Sequence, residues 1–397
     1  MGAPVVSVNS AAEIIGRSFV QTNEAITCLA DAGILRPPSI ALAAGTLAGV
    51  MGPVDALERI AYLLEREREP TYRVRAFRTA AETIAGLGAD EVAELAEQRR
   101  LRELAGIGEK TEAVVLQTLA GGVPDYLAHL ETLPAPDAGP GASLRASLLG
   151  DCHSHSDWSD GGSPIDAMAR AAAALGHEYL VLTDHSPRLT VAHGLSPERL
   201  VRQLELVEEV NEALAHTATQ GRRSGPFRLL TGIEVDILED GSLDQETELL
   251  GRLDVVVASA HSKLRMERGA MTERLVVALA NPHVDILGHC TGRILAGRGR
   301  PESEFDAEMV FGAAVQMGKA IEVNCRPERL DPPRRLLRLV ADAGALVSID
   351  TDAHAPGQLE WQAHGCRRAA ECGVAPESVV NTWPAERLLA WTAGHSA

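Results

Sequence analysis

The chain has 397 residues, a formal net charge of −18 and only 3% aromatic side chains. This length predicts more than one domain. The acidic charge argues against a broad basic surface for nucleic acid but leaves room for a local anion site. Six cysteines without CxxC spacing argue against a disulfide framework, and no apolar run is long enough to span a membrane. The sequence therefore predicts a soluble, cytoplasmic protein, and nothing in it calls for an obligate protein partner.

Residues 1–52 are predicted to form a helical extension. The run AAEIIGRSFVQTNEAITCLADAGILRP loosely resembles a helix-turn-helix, but a plain helical segment is the favoured interpretation. Residues 53–133 follow as a helical domain, because DALERIAYLLERE, TYRVRAFRTAAETIAGL and DEVAELAEQRR carry apolar residues at helical spacing. A stretch rich in Pro, Gly and Ala then predicts a linker over residues 134–147.

From residue 148 to residue 397, short β-rich runs alternate with amphipathic stretches such as PIDAMARAAAALG and PRRLLRLVADAG. This rhythm predicts a parallel sheet with helices packed against it. Seven such units favour a closed barrel. The predicted fold class is therefore α/β for this part of the chain, preceded by an all-α domain.

Six of the seven predicted strands end on side chains that can ligate metals, and the exception is IEVNC, which ends on Asn324. The C-terminal ends of parallel barrel strands meet at one mouth, so these side chains should converge there. His153 and His155 are two apart and share one strand face, and Asp352 and His354 repeat that spacing. The predicted metal ligands are His153, His155, Asp160, His185, Glu234, His261, His289, Asp352 and His354.

Nine candidate ligands are too many for a single ion and fit two or three. Mixed imidazole and carboxylate ligation without a thiolate favours Zn²⁺, Mn²⁺ or Fe²⁺ over Mg²⁺ or Ca²⁺. Three dications would outweigh the carboxylates of Asp160, Glu234 and Asp352, so the pocket would be locally positive and suited to an anion. Paired dications generate a hydroxide at neutral pH and clamp a phosphoryl group. Hydrolysis of a phosphate ester is therefore the predicted chemistry.

The runs HSHSDWSDG, TDHS, GIEVDI, ASAHS, GHCTGR and TDAH resemble the successive motifs of the PHP (polymerase and histidinol phosphatase) superfamily. EVNCRPERLD and QAHGCRRA are similar to the PHP domain of bacterial family X DNA polymerases in particular. The resemblance implies a distorted (β/α)₇ barrel that holds three divalent metal ions. By the same resemblance, one ion takes His153, His155, Glu234 and Asp352, a second takes Glu234, His261 and His289, and the third takes Asp160, His185 and His354.

Residues 53–133 resemble the small N-terminal domain of the same polymerases through YRVRAFRTAAETI and LRELAGIGEKTEAVV. The second run contains a helix-hairpin-helix turn in which Gly106 and Gly108 allow a tight bend. Backbone N–H groups at the start of the next helix can then hold a DNA phosphate, and Lys110 is predicted to add a charge contact. The palm, fingers and thumb that separate the two parts in those polymerases are missing here, so no polymerase activity is expected.

Other side chains near the ligands are predicted to serve the reaction. Arg293 in GHCTGR is the first candidate for a phosphate contact, since a guanidinium matches phosphate oxygens bidentately. Asp184 and Asp236 are candidates for orienting the ligating imidazoles. The weaker candidates for phosphate contact or for protonation of the leaving oxygen are His193, Lys263 and Arg329.

The leading hypothesis is a metal-dependent phosphodiesterase that acts on DNA, as a 3′–5′ exonuclease or a repair nuclease. DNA is then the predicted partner, held by its phosphate backbone. The second hypothesis is a phosphomonoesterase for a small metabolite, such as histidinol phosphate or a nucleotide, because the same metal site serves both reactions. The third is a non-catalytic DNA-binding protein with a vestigial barrel, and the complete ligand set argues against it.

Overall fold

The computed structural model describes residues 51–216 and 227–395, so the extension predicted for residues 1–52 lies almost entirely outside the described residues. The N-terminal part that it describes is helical and encloses its own apolar core. Its helices are α1 (Pro53–Arg66), α2 (Thr71–Ala85), α3 (Ala89–Glu97), α4 (Glu109–Leu119) and α5 (Asp125–Glu131). The core includes the buried side chains of Leu57, Ile60, Leu63, Phe77, Val115 and Leu127.

Local sequence explains how these helices begin and turn. Pro53 occupies the first turn of α1, where its missing N–H leaves no hydrogen bond unmade. The Asp55 carboxylate accepts a 3.1 Å hydrogen bond from the backbone N–H of Gly52. Between α3 and α4 the chain makes the predicted hairpin. Gly106 has a φ of +82°, and a Cβ there would lie 2.5 Å from Thr79 Cγ2, so the turn requires glycine.

In the described residues of the second part of the chain, seven parallel strands pair in chain order. They are β1 (Gly150–Ser154), β2 (Tyr179–Leu182), β3 (Arg228–Asp236), β4 (Val255–Ser259), β5 (Ile286–Leu287), β6 (Ala320–Asn324) and β7 (Leu346–Asp350). The accompanying helices are α6 (Ala142–Ser147), α7 (Ile165–Ala174), α8 (Pro197–His216), α9 (Thr247–Leu250), α10 (Arg268–Leu279), α11 (Ala307–Met317), α12 (Arg334–Asp342), α13 (Gln362–Glu371) and α14 (Ala385–Ala393). This arrangement confirms the predicted α/β barrel.

Strands β1 and β7 are joined largely by hydrogen bonds that involve side chains. Asp350 Oδ1 accepts a 2.9 Å hydrogen bond from the backbone N–H of Cys152, and Thr351 Oγ1 donates to Asp151 Oδ2 at 2.5 Å. A backbone bridge just beyond β7 joins Ser154 to Ala353. The ring is therefore nearly closed and distorted, and the C-terminal ends of its strands surround one mouth. Among the described residues, no helix is both long enough and apolar enough to cross a membrane.

The stretch predicted as a linker, residues 134–147, is folded against the barrel. It contains a 3₁₀ turn (Gly139–Gly141) and α6, and Leu144 of α6 is buried in the barrel core. At Gly141 an added Cβ would lie 2.2 Å from the carbonyl oxygen of Cys366 in α13. The two backbones are therefore in direct contact, and the connection is packed rather than loose.

Candidate metal centre

The predicted ligands converge around the carboxylate of Glu234, which lies in β3 and is 1% exposed. Glu234 Oε1 lies 2.8 Å from His289 Nε2 and 3.2 Å from His261 Nε2. Glu234 Oε2 lies 2.9 Å from His185 Nδ1 and 3.3 Å from His153 Nε2. One buried carboxylate is therefore surrounded by imidazoles that four different strands deliver.

The remaining donors form a second group beside the first. His155 Nε2 lies 3.4 Å from Asp352 Oδ1, and the rings of His155 and His354 are 4.2 Å apart between centroids. Asp160 Oδ1 lies 3.3 Å from His354 Nε2 and 3.4 Å from His185 Nε2. The Gly-rich loop after β1 therefore folds back over the mouth and carries the Asp160 carboxylate to the imidazoles.

Three sets of side chains each place one donor atom per residue within 4.8 Å of the others. The sets are His155, Asp160, His185 and His354; His153, His155 and Glu234; and His185, Glu234 and His261. Both ring nitrogens of His155 and of His261 are buried without a hydrogen-bond partner among the described residues, as is Glu234 Oε2. Buried polar atoms without partners are costly unless a ligand satisfies them. The donor set therefore fits divalent cations.

The charges in the centre also suit cation binding. Burial alone would raise the pKa of Glu234, but the imidazoles of His261, His153, His185 and His289 outweigh it and hold that pKa well below its usual range. The carboxylate is therefore ionised. A buried negative charge between imidazoles is the arrangement expected of a metal ligand.

Glu322 in β6 is a site residue that the sequence analysis missed. Its Oε1 lies 2.6 Å from His153 Nδ1, and its Oε2 accepts a 2.5 Å hydrogen bond from the backbone N–H of His289. Burial raises the pKa of Glu322 to about 7. Its contact with Nδ1 leaves His153 Nε2 directed at Glu234, the orientation that a metal requires. The signal was present, because Glu322 and Asn324 share one face of an otherwise apolar strand.

Replacing Glu322 by alanine should weaken metal binding about 10- to 100-fold, because His153 loses the partner that fixes its ring. Glu322→Gln should have a smaller effect, since its amide oxygen still accepts a hydrogen bond. Competition of the folded protein with a fluorescent chelator measures the change. The control is Glu308→Ala, which removes an exposed carboxylate from α11. Equal metal affinity in Glu322→Ala and the native chain would show that Glu322 does not orient the ligand.

The arginines at the mouth are arranged differently from the sequence prediction. Arg293 Nε donates to the carbonyl oxygen of Arg329 at 2.9 Å, Nη2 donates to that of Leu330, and Nη1 lies 3.5 Å from Glu302 Oε1. Its guanidinium therefore braces the loop after β6, and a contact of Arg293 with a phosphate stays a prediction. Arg329 Nε instead lies 3.3 Å from Asp352 Oδ2, and its Nη1 is buried without a hydrogen-bond partner among the described residues.

Arg326, which the sequence analysis did not single out, lies beside the same ligands. Its Nη1 is 3.3 Å from Asp352 Oδ1 and 3.0 Å from His354 Nδ1. Burial would raise the pKa of Asp352, but Arg326 and neighbouring groups outweigh it and hold that pKa well below its usual range. Arg326 and Arg329 both lie in EVNCRPERLD, and only the path of the loop shows that they face the ligands.

His193 and Lys263 lie on loops at the mouth but not against the ligands. Both are exposed, with left-handed φ values of 54° and 52°. Lys263 Nζ lies 3.6 Å from Glu239 Oε1. No hydrogen bond or ion pair of either side chain within the described part of the chain reaches a predicted ligand. A catalytic role for either residue therefore gains no support from the structure and stays a prediction.

The two carboxylates predicted to orient imidazoles behave differently. Asp236 Oδ1 accepts a 3.0 Å hydrogen bond from the backbone N–H of His261 and lies 3.3 Å from its Nδ1. Asp184 instead accepts hydrogen bonds of 2.8 Å from the Ser156 backbone and 2.6 Å from Gln203 Nε2. Its role is to fix the start of the loop after β1, and none of its hydrogen bonds among the described residues engages an imidazole.

Comparison with known proteins agrees with this architecture. The family model of a helix-hairpin-helix domain matches residues 52–124, and that of the PHP domain matches residues 151–326. The chain is similar to the DNA polymerase/3′-5′ exonuclease PolX of Bacillus subtilis, with 37% identity over 234 residues. It is also similar to a protein named probable phosphatase in Thermoanaerobacter sp. strain X514, with 27% identity over 248 residues.

These relatives are matched over different shares of their length. The likeness covers 59% of this chain in both cases, but 39% of the polymerase and 91% of the phosphatase. A solved structure of histidinol phosphate phosphatase from Lactococcus lactis, in complex with zinc, L-histidinol and phosphate, gives a TM-score of 0.41 at 17% identity over 57% of this chain and 95% of that one. Residues 52–124 thus match a helix-hairpin-helix domain, and residues 151–326 match a PHP domain.

Proposed function

We propose that the chain is a metal-dependent phosphodiesterase that acts on DNA, as a 3′–5′ exonuclease or a repair nuclease. The observation that carries this proposal is the direct packing of a helix-hairpin-helix domain on a barrel whose mouth holds the donor cluster. Trp361, which follows the ligand His354 in the chain, donates its indole N–H to the carbonyl oxygen of Arg66 in α1 at 3.0 Å. The similarity to an enzyme named as a 3′-5′ exonuclease supports the same reaction.

The proposed cofactors are three divalent ions, Mn²⁺, Zn²⁺ or Fe²⁺, held by the nine donors in the assignment that the PHP resemblance implies. When bound, such ions supply Lewis acidity that activates water and polarises a phosphoryl group. The chain's own residues determine where the donors lie. Glu322 holds the His153 ring, Asp236 accepts a hydrogen bond from the backbone N–H of His261, and Asp184 fixes the loop that brings Asp160 to the site.

Two arginines are the proposed contacts for the substrate phosphate. Arg329 offers a buried Nη1 without a hydrogen-bond partner in the described chain, next to Asp352 and thus at the edge of the metal cluster. Arg326 lies on the other side of the same carboxylate. Guanidinium groups bind phosphate oxygens with charge-assisted, bidentate hydrogen bonds. A local cationic edge therefore supports an anionic substrate although the whole chain carries a charge of −18.

Polymerase activity is not part of the proposal. The two matched domains are separated only by residues 125–150. Those residues form α5, the 3₁₀ turn Gly139–Gly141 and α6, and they pack on their neighbours. This stretch is too short to contain a nucleotidyl-transfer domain of ordinary domain size.

The decisive experiment compares substrates. The metal-loaded protein is incubated with DNA labelled at the 3′ end, with the same DNA labelled at the 5′ end, and with a panel of phosphomonoesters. Early release of labelled mononucleotide from the 3′ end, with slow shortening of the 5′-labelled strand, supports the exonuclease. Internal fragments would favour a repair endonuclease. Turnover of monoesters without any cleavage of DNA would reject the proposal.

A phosphomonoesterase for a small metabolite is the second candidate. It is favoured by the relative named as a probable phosphatase in Thermoanaerobacter sp. strain X514, which this chain matches over 91% of its length. The same cluster serves either substrate, because the reacting group is a phosphoryl centre in both. A non-catalytic DNA-binding protein is the weakest candidate, since all nine donors are present and gathered at one mouth.

The hairpin is the proposed contact for the DNA backbone, through Gly106, Gly108 and Lys110. Gly108 precedes α4, and the first N–H groups of a helix have no partner within that helix. Lys110 is exposed, with its Nζ 5.8 Å from the centroid of the Tyr126 ring. The side chain is therefore near the helix start and free to contact a phosphate.

Lys110→Ala should weaken DNA binding a few-fold at low salt and reduce the slope of log affinity against log salt by about 0.9, the loss of one phosphate contact. Fluorescence anisotropy with a labelled duplex over a range of salt concentrations measures both. Arg59→Ala is the matched control, because the Arg59 guanidinium is already paired with Glu131 at 2.7 Å. An unchanged salt slope in Lys110→Ala would remove Lys110 from the DNA interface.

A further inference from the structure

The C-terminal end of α1 packs against the segment that follows the ligand His354. This segment is a 3₁₀ helix, Pro356–Trp361. The Gly357 N–H donates to Glu65 Oε2 at 3.0 Å, and Tyr62 donates its hydroxyl to Glu360 Oε1 at 2.7 Å. Both Glu65 and Trp361 are almost fully buried. The interface therefore combines buried polar contacts with a buried aromatic side chain, unlike the surface of a loosely tethered domain.

The contact at Gly357 brings two backbones together. A Cβ added there would lie 2.0 Å from the carbonyl oxygen of Tyr62 and 2.9 Å from the backbone nitrogen of Arg66. No side chain fits between the segments, so their relative position is fixed. The Glu65 carboxylate is held in turn by Arg78 Nε of α2, at 2.8 Å. Helices α1 and α2 thus present one rigid surface to the barrel.

The same 3₁₀ segment holds the metal ligands in place. Gln358 Oε1 accepts a 2.7 Å hydrogen bond from the backbone N–H of His354. The carbonyl oxygen of His354 accepts a 2.7 Å hydrogen bond from the N–H of Gly162, two residues after Asp160. A continuous set of contacts therefore runs from α1 through residues 356–361 to two of the predicted ligands.

A second contact reaches the loop after β6. Arg68, just beyond α1, places its Nε 2.8 Å from Glu328 Oε1. Glu328 lies between Arg326 and Arg329, whose guanidinium groups are each 3.3 Å from the carboxylate of Asp352. The helical domain thus touches both loops that surround Asp352, one through Gly357 and the other through Glu328.

From these contacts we infer that the helical domain is a structural part of the metal centre. Residues 65–68 hold the loops after β6 and β7 in the geometry that Asp352 and His354 need to share ions with Asp160, His155 and the rest of the cluster. Glu65 and Arg68 are positioning residues, since they act through Gly357 and Glu328. This role depends on the metal centre but not on DNA as the substrate.

The test measures metal retention by the full chain loaded with Mn²⁺. Each variant is challenged with excess EDTA, and the ions left per chain are counted by elemental analysis over time. Gly357→Ala should release at least one ion about tenfold faster than the native chain, the usual size of an effect on groups that support metal ligands. Arg68→Ala should also speed the release of metal, by a smaller factor, and Arg68→Lys should bring the release rate most of the way back to the native value.

Two controls separate this role from a general loss of stability. Gly312→Ala adds a Cβ on α11 that meets nothing within 4 Å, so its release rate should equal that of the native chain. Val92→Ala removes a buried methyl pair from α3, in the core of the helical domain, and should lower the unfolding temperature without changing metal release. A helical domain that merely stabilises the fold would make Val92→Ala and Gly357→Ala behave alike.

Native release rates in folded Gly357→Ala and Arg68→Ala would overturn the inference. If Gly357→Ala does not fold, the comparison of Arg68→Ala with Arg68→Lys decides, because Arg68 is 42% exposed and its replacement leaves the core intact. Metal release is measured without any substrate. A failure of the DNA-cleavage proposal and a failure of this inference therefore give different results.

Discussion

Glu234→Gln is expected to lose essentially all hydrolysis of phosphodiesters, a fall of at least about a thousandfold, because several kcal/mol of transition-state stabilisation depend on the bound ions. The Glu234 carboxylate lies between 2.8 and 3.3 Å from His289, His261, His185 and His153. A carboxamide is neutral and offers one oxygen, so it cannot be shared between ions. Initial rates on a chromogenic diester, together with the metal content of the purified variant, measure the loss.

The matched control is Glu239→Gln, an exposed carboxylate at the same mouth that pairs with Lys263 at 3.6 Å. It should keep the native rate and metal content. The thermal unfolding of Glu234→Gln should remain cooperative, which separates loss of the centre from loss of the fold. A Glu234→Gln protein with native activity and native metal content would show that the ions, and hence the reaction, are located elsewhere.

Arg329→Ala is expected to lower kcat/KM for the same diester about a hundredfold, equivalent to roughly 3 kcal/mol, while its metal content stays close to native. The reason is that a guanidinium gives two charge-assisted hydrogen bonds to a phosphoryl group, and alanine gives none. Arg329→Lys should recover part of the rate, because an ammonium keeps the charge but not the bidentate geometry. Steady-state kinetics on metal-saturated protein measure both variants.

Arg335→Ala serves as the control for Arg329, since its guanidinium is 65% exposed and pairs with Glu302. Its kinetics should be native. Metal content has to be followed alongside, because Arg329 Nε is 3.3 Å from Asp352 Oδ2. A loss of rate that tracks a loss of metal would assign Arg329 to holding the ligand, and native kinetics would assign it no role in binding phosphate.

Much of the site could be predicted from sequence because parallel strands simplify the geometry. All seven strands point the same way, so a residue at or just past the end of any strand reaches the same mouth. Residue type supplies the second part of the prediction, because imidazoles and carboxylates at successive strand ends have few functions other than metal binding. Glu322 was not predicted because it lies within β6 rather than past its end. It contacts the cluster through the His153 ring and the backbone N–H of His289.

The arrangement of the arginines could not be predicted, because it depends on the path of a loop. Asp331 is buried and accepts a 2.5 Å hydrogen bond from the Thr291 hydroxyl, which ties the loop after β6 to the loop after β5. That tie brings Arg293 under the carbonyl oxygens of Arg329 and Leu330. The sequence shows how far a residue lies from the end of a strand. It does not show which side chains of the following loop face the predicted ligands.

The docking of the helical domain was equally hidden from the sequence. The helical domain approaches the barrel backbone at Gly357, and the connection does so at Gly141. From sequence alone, a glycine that makes a turn cannot be told from one that lies against another segment. The composition of residues 134–147 is typical of a flexible connection. The structure shows a packed one, because Leu144 and the 3₁₀ turn find apolar and backbone partners on the barrel.

The join between β1 and β7 has a consequence for how the candidate site can change. Hydrogen bonds between the backbones of paired strands survive almost any replacement of side chains. The hydrogen bonds from Cys152 to Asp350 and from Thr351 to Asp151 instead depend on two carboxylates. A single substitution at either aspartate changes how β1 and β7 align. Strand β1 carries His153, and β7 leads into Asp352. The distance between the donor atoms of His153 and Asp352 should therefore respond to changes at this join, while the other six strand pairings stay as they are.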